Sequence, residues 1–360
     1  MKKAILYIDS MQKGGAQRVM SVLGTHLCNK GIETILVNDI VPVNGIEEYQ
    51  IDQRIRRIFL DQEGVLLSNK NIKRVRKLRK IVKEEKPDVV LSFMGPPNYR
   101  MLVATLGLDC RKIVSVRNDP EKEYGSSNLK RIIAGVLFSL ADGCVFQTKM
   151  ASEYFPRFIR EKGSIIFNPV DIAFFDEQWE EQEYCLISVG RLYEQKNQAL
   201  LIRAFAKAHD VIPDIKLKIC GKGIEELNLS RLVKKLGLEK NIKFMGEITN
   251  VKEELKHSSC FVLSSDYEGL PNALMEAMAV GMPVISTDCP CGGPRMLITD
   301  QKNGVLVPCN DEEALSRAVL EIMSNRDRRL QLGMQAKESA ERFKTDKIMD
   351  KWYNYLFLGR

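Results

Sequence analysis

Apolar residues in this 360-residue chain fall in short continuous runs that alternate with longer stretches where they recur every three or four positions. The short runs predict buried strands, and the longer stretches predict amphipathic helices. In the first half, helices ending at Lys30 and at about 70–86, 99–108 and 129–140 separate the predicted strands. Those strands are Ala4–Asp9, Glu33–Val37, Arg57–Leu60, Asp88–Ser92, Lys112–Val116, Gly143–Phe146 and Ser164–Phe167. This alternation predicts a parallel, Rossmann-like sheet.

A second strand–helix series begins after Asn168–Asp171 and the acidic stretch Asp176–Glu183, which is polar, lacks a period and is interpreted as a linker. Helices are predicted at about 198–209, 225–236, 252–257, 273–280 and 311–324, and an amphipathic, aromatic-rich last helix at 344–357. The strands between them are Tyr184–Val189, Ile215–Cys220, Ile242–Met245, Cys260–Leu263, Pro283–Ser286 and Gly304–Val307. We therefore expect domains at 1–170 and 171–343, followed by a C-terminal helical segment at 344–360.

The composition, 44% apolar and 28% charged, is ordinary for a soluble globular protein long enough for two cores. No apolar run reaches the length of about 18 residues that a membrane span needs, and the run after Met1–Lys3 is too short for a signal peptide. Several of the nine cysteines fall inside predicted strands, which favours buried, reduced thiols. We therefore expect a cytoplasmic protein.

Charge divides unevenly between the halves. Residues 1–170 carry 28 Lys and Arg against 18 Asp and Glu, whereas residues 171–360 carry 26 against 29. A basic half can indicate nucleic acid, but no aromatic-interleaved platform, zinc finger or RNP-like motif accompanies it. An anionic membrane surface is the favoured partner, and no nucleic acid is expected.

The segment from Ser265 to Glu276 joins a predicted buried strand to a predicted helix, with Gly269 and Pro271 as breakers. In an open α/β sheet, ligands bind at the carboxyl ends of strands, where first-turn N–H groups lack intrahelical partners. Glu268 and Glu276 are separated so that one lies in the loop and the other about a turn into the helix. They are expected to contact different parts of one long ligand.

Glu268 with Gly269, Leu270, Pro271 and Asn272, followed by Glu276, resembles the E-x7-E motif of the family 4 retaining glycosyltransferases. Other matching segments occur in the family's order and are Gly14–Val19, Asn168–Pro169, Val189–Leu192 with Lys196–Asn197, and Cys220–Gly223. The resemblance covers the whole chain. It implies the α/β architecture called GT-B, in which two Rossmann-like domains face each other across a cleft. It also implies that the last segment, 344–360, crosses back to the first domain.

The resemblance implies retaining transfer of a sugar from a nucleotide diphosphate, with UDP expected, to a hydroxyl of a glycan or polyprenyl-diphosphate-linked glycan in cell-surface polysaccharide synthesis. Glu268 would hydrogen-bond the transferred sugar, and Glu276 would bind the ribose hydroxyls. The stretch containing Gly269, Leu270, Pro271 and Asn272 would hold the sugar and phosphates through its N–H groups.

Two basic side chains follow the first strand of the second half. Arg191 as a bidentate fork and Lys196 as a point charge can converge on one diphosphate, although isolated surface charges are the alternative. In the first half, Arg117 and Asn118 stand where many relatives carry a histidine. Neither side chain acts as a base at neutral pH. Arg117 is a candidate for contacting the sugar, and an ion pair with Asp119 is the alternative.

Glycines mark further candidate binding loops. Gly14 and Gly15 lie at the first strand-to-helix turn, where a ligand can approach the backbone, or where the chain simply turns. Gly221, Gly223 and Gly246 end neighbouring strands and are expected to form the nucleotide-base pocket. The turn Cys291–Arg295 contacts the acceptor or is a plain turn.

No metal cofactor is expected. Cys289, Cys291 and Cys309 hint at zinc, but no second pair at finger spacing follows, and the three histidines lie elsewhere. The sequence also lacks a D-x-D pair, which holds a divalent cation on the nucleotide diphosphate in the other large glycosyltransferase architecture. Basic side chains or N–H groups would then neutralise the phosphates.

The helix predicted at Lys70–Lys86 is strongly basic. At about 100° per residue, Lys73, Arg76, Lys77, Lys80 and Lys83 share one face, and Val75, Leu78 and Val82 share the opposite one. A solvated face is the alternative. We expect instead reversible attachment to the inner face of the plasma membrane.

Three other functions are alternatives to sugar transfer. A nucleotide-sugar epimerase uses the same architecture and donor, but no acid/base set for proton abstraction is evident. A non-catalytic nucleotide- or carbohydrate-binding scaffold is distinguished only by the absence of transfer. A dehydrogenase would need a G-x-G-x-x-G after a strand, which the chain lacks.

Overall fold

The computed structural model describes residues 2–12, 14–42, 47–61 and 71–359. The chain divides into two compact units. Unit 1 comprises Met1–Pro169 with Asp346–Arg360, and unit 2 comprises Val170–Thr345. Each unit is a parallel sheet with helices on both faces, so the predicted class of two Rossmann-like α/β domains is confirmed.

Unit 1 alternates strands and helices along its first 169 residues. Its elements are β1 (Lys3–Ile8), α1 (Gly15–Asn29), β2 (Glu33–Ile40), β3 (Arg56–Asp61), α2 (Asn71–Glu85), β4 (Val89–Phe93), α3 (Gly95–Ala104), β5 (Arg111–Ser115), α4 (Pro120–Tyr124), α5 (Asn128–Ser139), β6 (Gly143–Phe146), α6 (Lys149–Glu153), α7 (Arg157–Glu161) and β7 (Gly163–Ile165).

Unit 2 repeats this alternation. Its elements are α8 (Ile172–Phe175), β8 (Glu183–Val189), α9 (Gln198–Val211), β9 (Lys216–Cys220), α10 (Glu226–Lys235), β10 (Ile242–Gly246), α11 (Val251–His257), β11 (Ser258–Leu263), α12 (Asn272–Val280), β12 (Val284–Thr287), α13 (Gly293–Leu297), β13 (Val305–Val307), α14 (Glu312–Ser324) and α15 (Arg326–Ala340). The final helix, α16 (Thr345–Phe357), leads the chain back into unit 1.

The described part of unit 1 holds a seven-stranded parallel sheet in the order β3-β2-β1-β4-β5-β6-β7. The chain builds outward in one direction from β1 and in the other from β4, so these neighbours form the topological switch point. Side chains of α2, α3 and α5 share one core with residues such as Tyr7 and Val90 of the sheet. Those of α1 and α16 share another core with the alternate strand residues, such as Leu6 and Leu91.

Helix α16 belongs to the core of unit 1. Trp352 is fully buried, with its ring centroid 5.5 Å from that of Phe93. The Tyr355 hydroxyl accepts a hydrogen bond from the Cys144 backbone N–H (2.8 Å) and donates to the Lys162 carbonyl (2.6 Å). Tyr355 therefore supplies the hydrogen-bond acceptor for a backbone N–H of strand β6.

Unit 2, all of whose residues are described, holds a six-stranded parallel sheet in the order β10-β9-β8-β11-β12-β13. The connection from β8 leads to β9 on one side, whereas β11 and its successors lie on the other. The switch point of this sheet is therefore between β8 and β11, where ligands bind in open α/β sheets.

The acidic stretch Asp176–Glu183 is not a loose linker. The Glu177 carboxylate pairs with Lys252 (2.8 Å) and Lys256 (3.1 Å), and the Glu181 carboxylate pairs with the buried Arg329 (2.9 Å). Its polar composition, which suggested a linker, reflects ion pairing within unit 2.

Helix α15 was not predicted. Its buried positions are Arg329, Leu332, Gly333, Ala336 and Ala340, so a helical spacing exists but one cation and three small residues occupy it. A Cβ added at Gly333 would lie 2.2 Å from the Gly281 carbonyl oxygen. Close packing against α12 requires small residues. Because small residues replace the large apolar ones, the sequence lacks the periodic apolar pattern that would predict this helix.

Over the described ranges, no helix combines the length and the apolarity that a membrane crossing requires.

Candidate functional site

The switch point of unit 2 brings Lys196 and Glu268 together. Lys196 ends the loop after β8, Glu268 lies in the loop after β11, and the Lys196 Nζ atom is 2.5 Å from Glu268 Oε1. Glu268 is buried and also accepts a hydrogen bond from the Ser265 hydroxyl (2.7 Å). The lysine and the hydroxyl beside this buried carboxylate satisfy its oxygen and fix its orientation.

Hydrogen bonds fix the two loops to each other. The Asp266 backbone N–H donates to the Gln195 carbonyl, and the Gln195 side-chain amide donates to the Tyr267 carbonyl, both at 2.9 Å. Asn197 has a left-handed backbone (φ 42°), donates to the Asp266 carboxylate (2.8 Å) and accepts from the Leu200 N–H at the start of α9. The pair of loops is therefore one preorganised structure.

Lys196 and Arg191 were expected to converge on a diphosphate. Lys196 forms an ion pair with Glu268, and Arg191 is exposed with its guanidinium over the Tyr193 ring (5.3 Å), so their convergence on a diphosphate stays a prediction. The sequence did not indicate the Lys196–Glu268 contact, because the two residues lie 72 positions apart.

Glu276 lies on α12, which begins at Asn272 after the N-cap residue Pro271. The side chain is buried, and Leu270 in the loop before the helix is buried as well. Glu268 and Glu276 thus occupy the loop and the helix, the positions that their spacing predicted.

The loop containing Gly269 is in close contact with Gly293. A Cβ added at Gly293 would lie 1.6 Å from the Gly269 carbonyl oxygen and 3.3 Å from Pro271 Cδ. The segment Cys291–Arg295, expected as a tight turn, leads into helix α13 at Gly293. Gly293 therefore positions the loop that carries Glu268. In the sequence, only the Gly-Gly-Pro tripeptide indicates this role of Gly293.

Gly221 and Gly223 also have steric roles. A Cβ at Gly221 would lie 1.9 Å from the Gly190 carbonyl oxygen, and one at Gly223 would lie 2.1 Å from the Leu192 carbonyl oxygen. Gly246 has φ 63°, and a Cβ added there would lie 3.7 Å from Lys222 Cε. The loops after β8 and β9 are thus packed backbone to backbone, and the Gly221 N–H donates to the carbonyl of Gly246 at the end of β10 (2.7 Å).

Gly14 and Gly15 lie beside the switch point of unit 1. Gly14 is the N-cap residue of α1, its backbone is extended, and its carbonyl accepts from the Arg18 N–H (3.0 Å). Gly15 is the first residue of the helix. On the other side of the switch point, Met94 follows β4 with φ 74°, which is uncommon for a side chain of its size. No local sequence pattern indicates this backbone conformation.

Arg117 is buried in unit 1 and does not pair with Asp119. Its Nη2 donates to the side-chain oxygen of Asn168, and its guanidinium lies 4.8 Å from the centre of the Phe93 ring. Burial lowers the pKa of Arg117 to about 9. The Asp119 carboxylate caps α4 by accepting from the Glu121 N–H (2.9 Å). The half-buried Asn118 lies between them in sequence.

The exposed face of α2 carries Lys73, Arg76, Lys80 and Lys83. Lys77, expected on this face, is half-buried because its ammonium group donates to the Leu60 carbonyl. Leu78 and Val82 are buried as expected, and Val75 is half-buried. Lys70 lies outside the described residues.

Among the described residues, no group of three or more His, Cys, Asp or Glu side chains is arranged to hold a metal ion. Cys289 and Cys291 are buried, and burial raises the pKa of the Cys289 thiol.

Family models match both halves of the chain. The model described as Glycosyltransferase Family 4 matches residues 13–174, and the model described as Glycosyl transferases group 1 matches residues 170–339. The junction of the two matches coincides with the beginning of unit 2.

Curated relatives include an uncharacterized glycosyltransferase of Methanocaldococcus jannaschii, 32% identical over 68% of each chain. A Campylobacter jejuni relative is 26% identical over 98% of this chain and 97% of its own. It is named GalNAc-alpha-(1->4)-GalNAc-alpha-(1->3)-diNAcBac-PP-undecaprenol alpha-1,4-N-acetyl-D-galactosaminyltransferase.

Solved structures show the same fold. HepE of Anabaena, crystallised with UDP and glucose, has a TM-score of 0.80 at 16% identity over 99% of both chains. Sucrose-phosphate synthase of Thermosynechococcus elongatus has a TM-score of 0.84 at 18% identity over the full length of both. These likenesses confirm the GT-B fold class.

Proposed function

This chain belongs to family 4 of the glycosyltransferases, and we propose that it transfers a sugar from UDP to a hydroxyl of a polyprenyl-diphosphate-linked glycan, with retention at the anomeric carbon. The observation that carries the proposal is the Lys196–Glu268 pair at the switch point of unit 2. It combines a buried acceptor of hydrogen bonds with a fixed positive charge, which are the two properties that a sugar diphosphate requires.

In the proposed reaction, Glu268 accepts a hydrogen bond from a hydroxyl of the transferred sugar. Lys196 pairs with that carboxylate and lies beside the leaving diphosphate, toward which the exposed Arg191 can swing. Glu276 binds the ribose hydroxyls. The backbone N–H groups between Gly269 and Asn272, at the N-terminus of α12, stabilise the phosphate charge that develops as the sugar leaves.

The remaining candidates contact the ends of the donor or the acceptor. Gly221, Gly223 and Gly246 line the base pocket with backbone groups, and Gly14, Gly15 and Asn118 are the candidates for substrate contact within unit 1. Arg117, anchored by Asn168, presents a positive charge from a buried position. The departing phosphate oxygen takes the acceptor proton, so that no separate base is needed.

UDP as donor nucleotide is supported by the UDP complex of HepE, which shares the fold. A polyprenyl-linked acceptor is supported by the Campylobacter jejuni relative, whose name specifies an undecaprenol diphosphate glycan. Transfer without a divalent metal is supported by the basic groups at the site and by a sequence that lacks a D-x-D pair.

Attachment to the inner face of the plasma membrane is supported by α2. Its exposed residues Lys73, Arg76, Lys80 and Lys83 form a cationic row, and acidic residues occur only at its end, Glu84 and Glu85. Each basic residue near an anionic surface contributes about 1 kcal/mol, so the row supplies several kcal/mol at low salt.

The deciding experiment screens UDP-, GDP- and ADP-sugars by thermal shift and then measures transfer to lipid-linked glycans in EDTA. A donor at 100 times its Kd raises the apparent stability by about 2.7 kcal/mol. Glu276→Ala is expected to weaken donor binding, and Glu268→Ala to lower kcat, by about 100-fold or more for the latter. Glu239→Ala, which removes an exposed carboxylate in unit 2, is the control.

Release of UDP with an isomerised sugar and no acceptor would identify an epimerase instead. Strict dependence on magnesium or manganese would overturn the metal-free mechanism. Equal kinetics for the Glu268, Glu276 and Glu239 variants would remove these two glutamates from the site.

A further inference from the structure

Helix α5 exposes an apolar stripe along its whole length. Its only buried residues are Ala134, Gly135 and Phe138, so two of the three positions facing the core carry almost no side chain. The large aliphatic side chains are on the outside and are Leu129, Ile132, Ile133, Val136 and, at the C-cap, Leu140.

The exposed side chains form one continuous strip. At 3.6 residues per turn, the five positions fall within an arc of about 100° that is centred opposite the buried residues. Large exposed apolar patches on a folded protein mark surfaces that bind a partner or a membrane. The spacing therefore defines a second apolar face on a helix whose first apolar face is already buried.

The strip continues onto neighbouring elements. Helix α3 packs against α5 and exposes Val103, with Leu106 exposed just beyond its end, and α7 packs against α5 and exposes Phe158. Helix α2 packs on the other side of α3, where the Arg79 guanidinium donates to the Ala104 and Leu106 carbonyls. Because α2, α3 and α5 share one core, the cationic row and the apolar strip lie on the same face of unit 1.

We propose that this strip is inserted into the interfacial layer of an anionic phospholipid bilayer, with the apolar side chains of α5 among the acyl chains and the cationic row of α2 at the headgroups. The inference rests on the proposed membrane attachment and adds a hydrophobic contribution to an attachment that was so far electrostatic. Charge alone gives attachment that salt reverses, whereas inserted side chains give attachment that persists in salt.

Charge favours a bilayer over a second copy of the chain. Helices α3 and α5 contain no acidic residue, and α2 contains none before Glu84. A two-fold interface would place this same face against itself, so the cationic rows would lie near each other and repel. An anionic surface complements both the row and the lysine of α5, Lys130, which is exposed.

The test compares two double variants of the full-length protein, matched in residue type and exposure. Leu129→Gln with Val136→Gln removes side chains that are 68% and 62% exposed, and Leu227→Gln with Val211→Gln removes ones that are 70% and 66% exposed in unit 2. Glutamine retains helix propensity. Binding is measured by flotation with vesicles of phosphatidylglycerol and phosphatidylethanolamine at low and high salt.

The parent and the unit 2 control are expected to stay bound at high salt, and the α5 variant is expected to lose partitioning by about 30-fold or more. The indole introduced by Val136→Trp should shift its emission to the blue on binding and be quenched by lipids brominated on the acyl chain, whereas that of Val211→Trp should not. Sugar transfer measured in detergent should be equal for the parent and both double variants. A failure of the proposed transferase activity is therefore distinguished from a failure of membrane binding.

Equal vesicle binding by the two double variants would overturn the proposal. So would a parent dimer in light scattering that becomes a monomer only in the α5 variant while no form binds vesicles. If charge reversal of Lys73, Arg76 and Lys80 abolishes binding and the α5 variant binds normally, attachment is electrostatic and the inserted strip is wrong.

Discussion

Gly293→Ala is the substitution for which the structure gives the sharpest expectation. A Cβ at this position would lie 1.6 Å from the Gly269 carbonyl oxygen, whereas real Cβ contacts are essentially never below 3.0 Å. The two segments must therefore separate by about 1.4 Å. Gly293 has no positive φ, so the clash and not the backbone conformation causes the effect.

Two consequences of this separation can be measured. Overpacking of this kind costs about 1–3 kcal/mol of folding free energy. Displacement of the loop that carries Glu268 by about 1 Å should also lower the rate of transfer by about 100-fold and weaken UDP binding. The control is Gly135→Ala in α5, where the added Cβ would lie 3.4 Å from Pro156 Cγ, an ordinary contact. A helical Gly→Ala change of this kind is neutral or stabilises by up to about 1 kcal/mol.

The assay uses the two tryptophans of the chain. Trp352 lies in unit 1, and Trp179 lies in unit 2, where its indole N–H donates to the Ser258 carbonyl (2.7 Å). In a Trp352→Phe background, urea unfolding followed by fluorescence reports on unit 2 alone, and calorimetry with UDP reports on the site. If Gly293→Ala matches the parent in urea midpoint, UDP affinity and rate, the packing argument is refuted.

Three further substitutions have expected outcomes. Burial raises the pKa of Glu123 to about 7, so between about pH 4.5 and 7 the carboxyl loses its proton only in the unfolded chain. The free energy of unfolding therefore falls by about 3 kcal/mol as the pH rises through this range. Glu123→Gln should abolish the fall, as measured by urea midpoints at pH 5 and 8. Tyr355→Phe leaves the Cys144 N–H without its partner and should cost about 1–3 kcal/mol in urea unfolding. Glu181→Ala leaves the buried Arg329 charge unpaired and should cost about 3 kcal/mol or more, seen as a lower urea midpoint of unit 2; a loss below 1 kcal/mol would contradict it.

Much of the fold was predictable because parallel strands buried on both faces give uninterrupted apolar runs. The runs at Gly143–Phe146 and Ile242–Met245 coincide with strands β6 and β10 to within a residue. The family resemblance is confirmed as well. Helix α15 was missed because its contact with α12 demands glycine and alanine where a periodic pattern would need large apolar residues.

Features of the site that lie within one segment of the chain could be predicted from the sequence. Contacts between segments that are distant in the sequence could not. The loop and helix positions of Glu268 and Glu276 follow from local sequence alone. The Lys196–Glu268 bond depends on the pairing of β8 with β11, which no local pattern contains. The alternative of an Arg117–Asp119 ion pair is not found, because Asp119 caps the proline-initiated helix that follows it and Arg117 bonds to Asn168.

The return of α16 to unit 1 has a consequence for biosynthesis. The first 169 residues leave the ribosome without the helix that fills one face of their sheet, and all of Val170–Thr345 is translated before that helix appears. At about 5–20 residues per second, the delay is about 10–35 s. The second unit is contiguous and can therefore finish folding while the earlier-made half still exposes the apolar surface that Trp352 later covers.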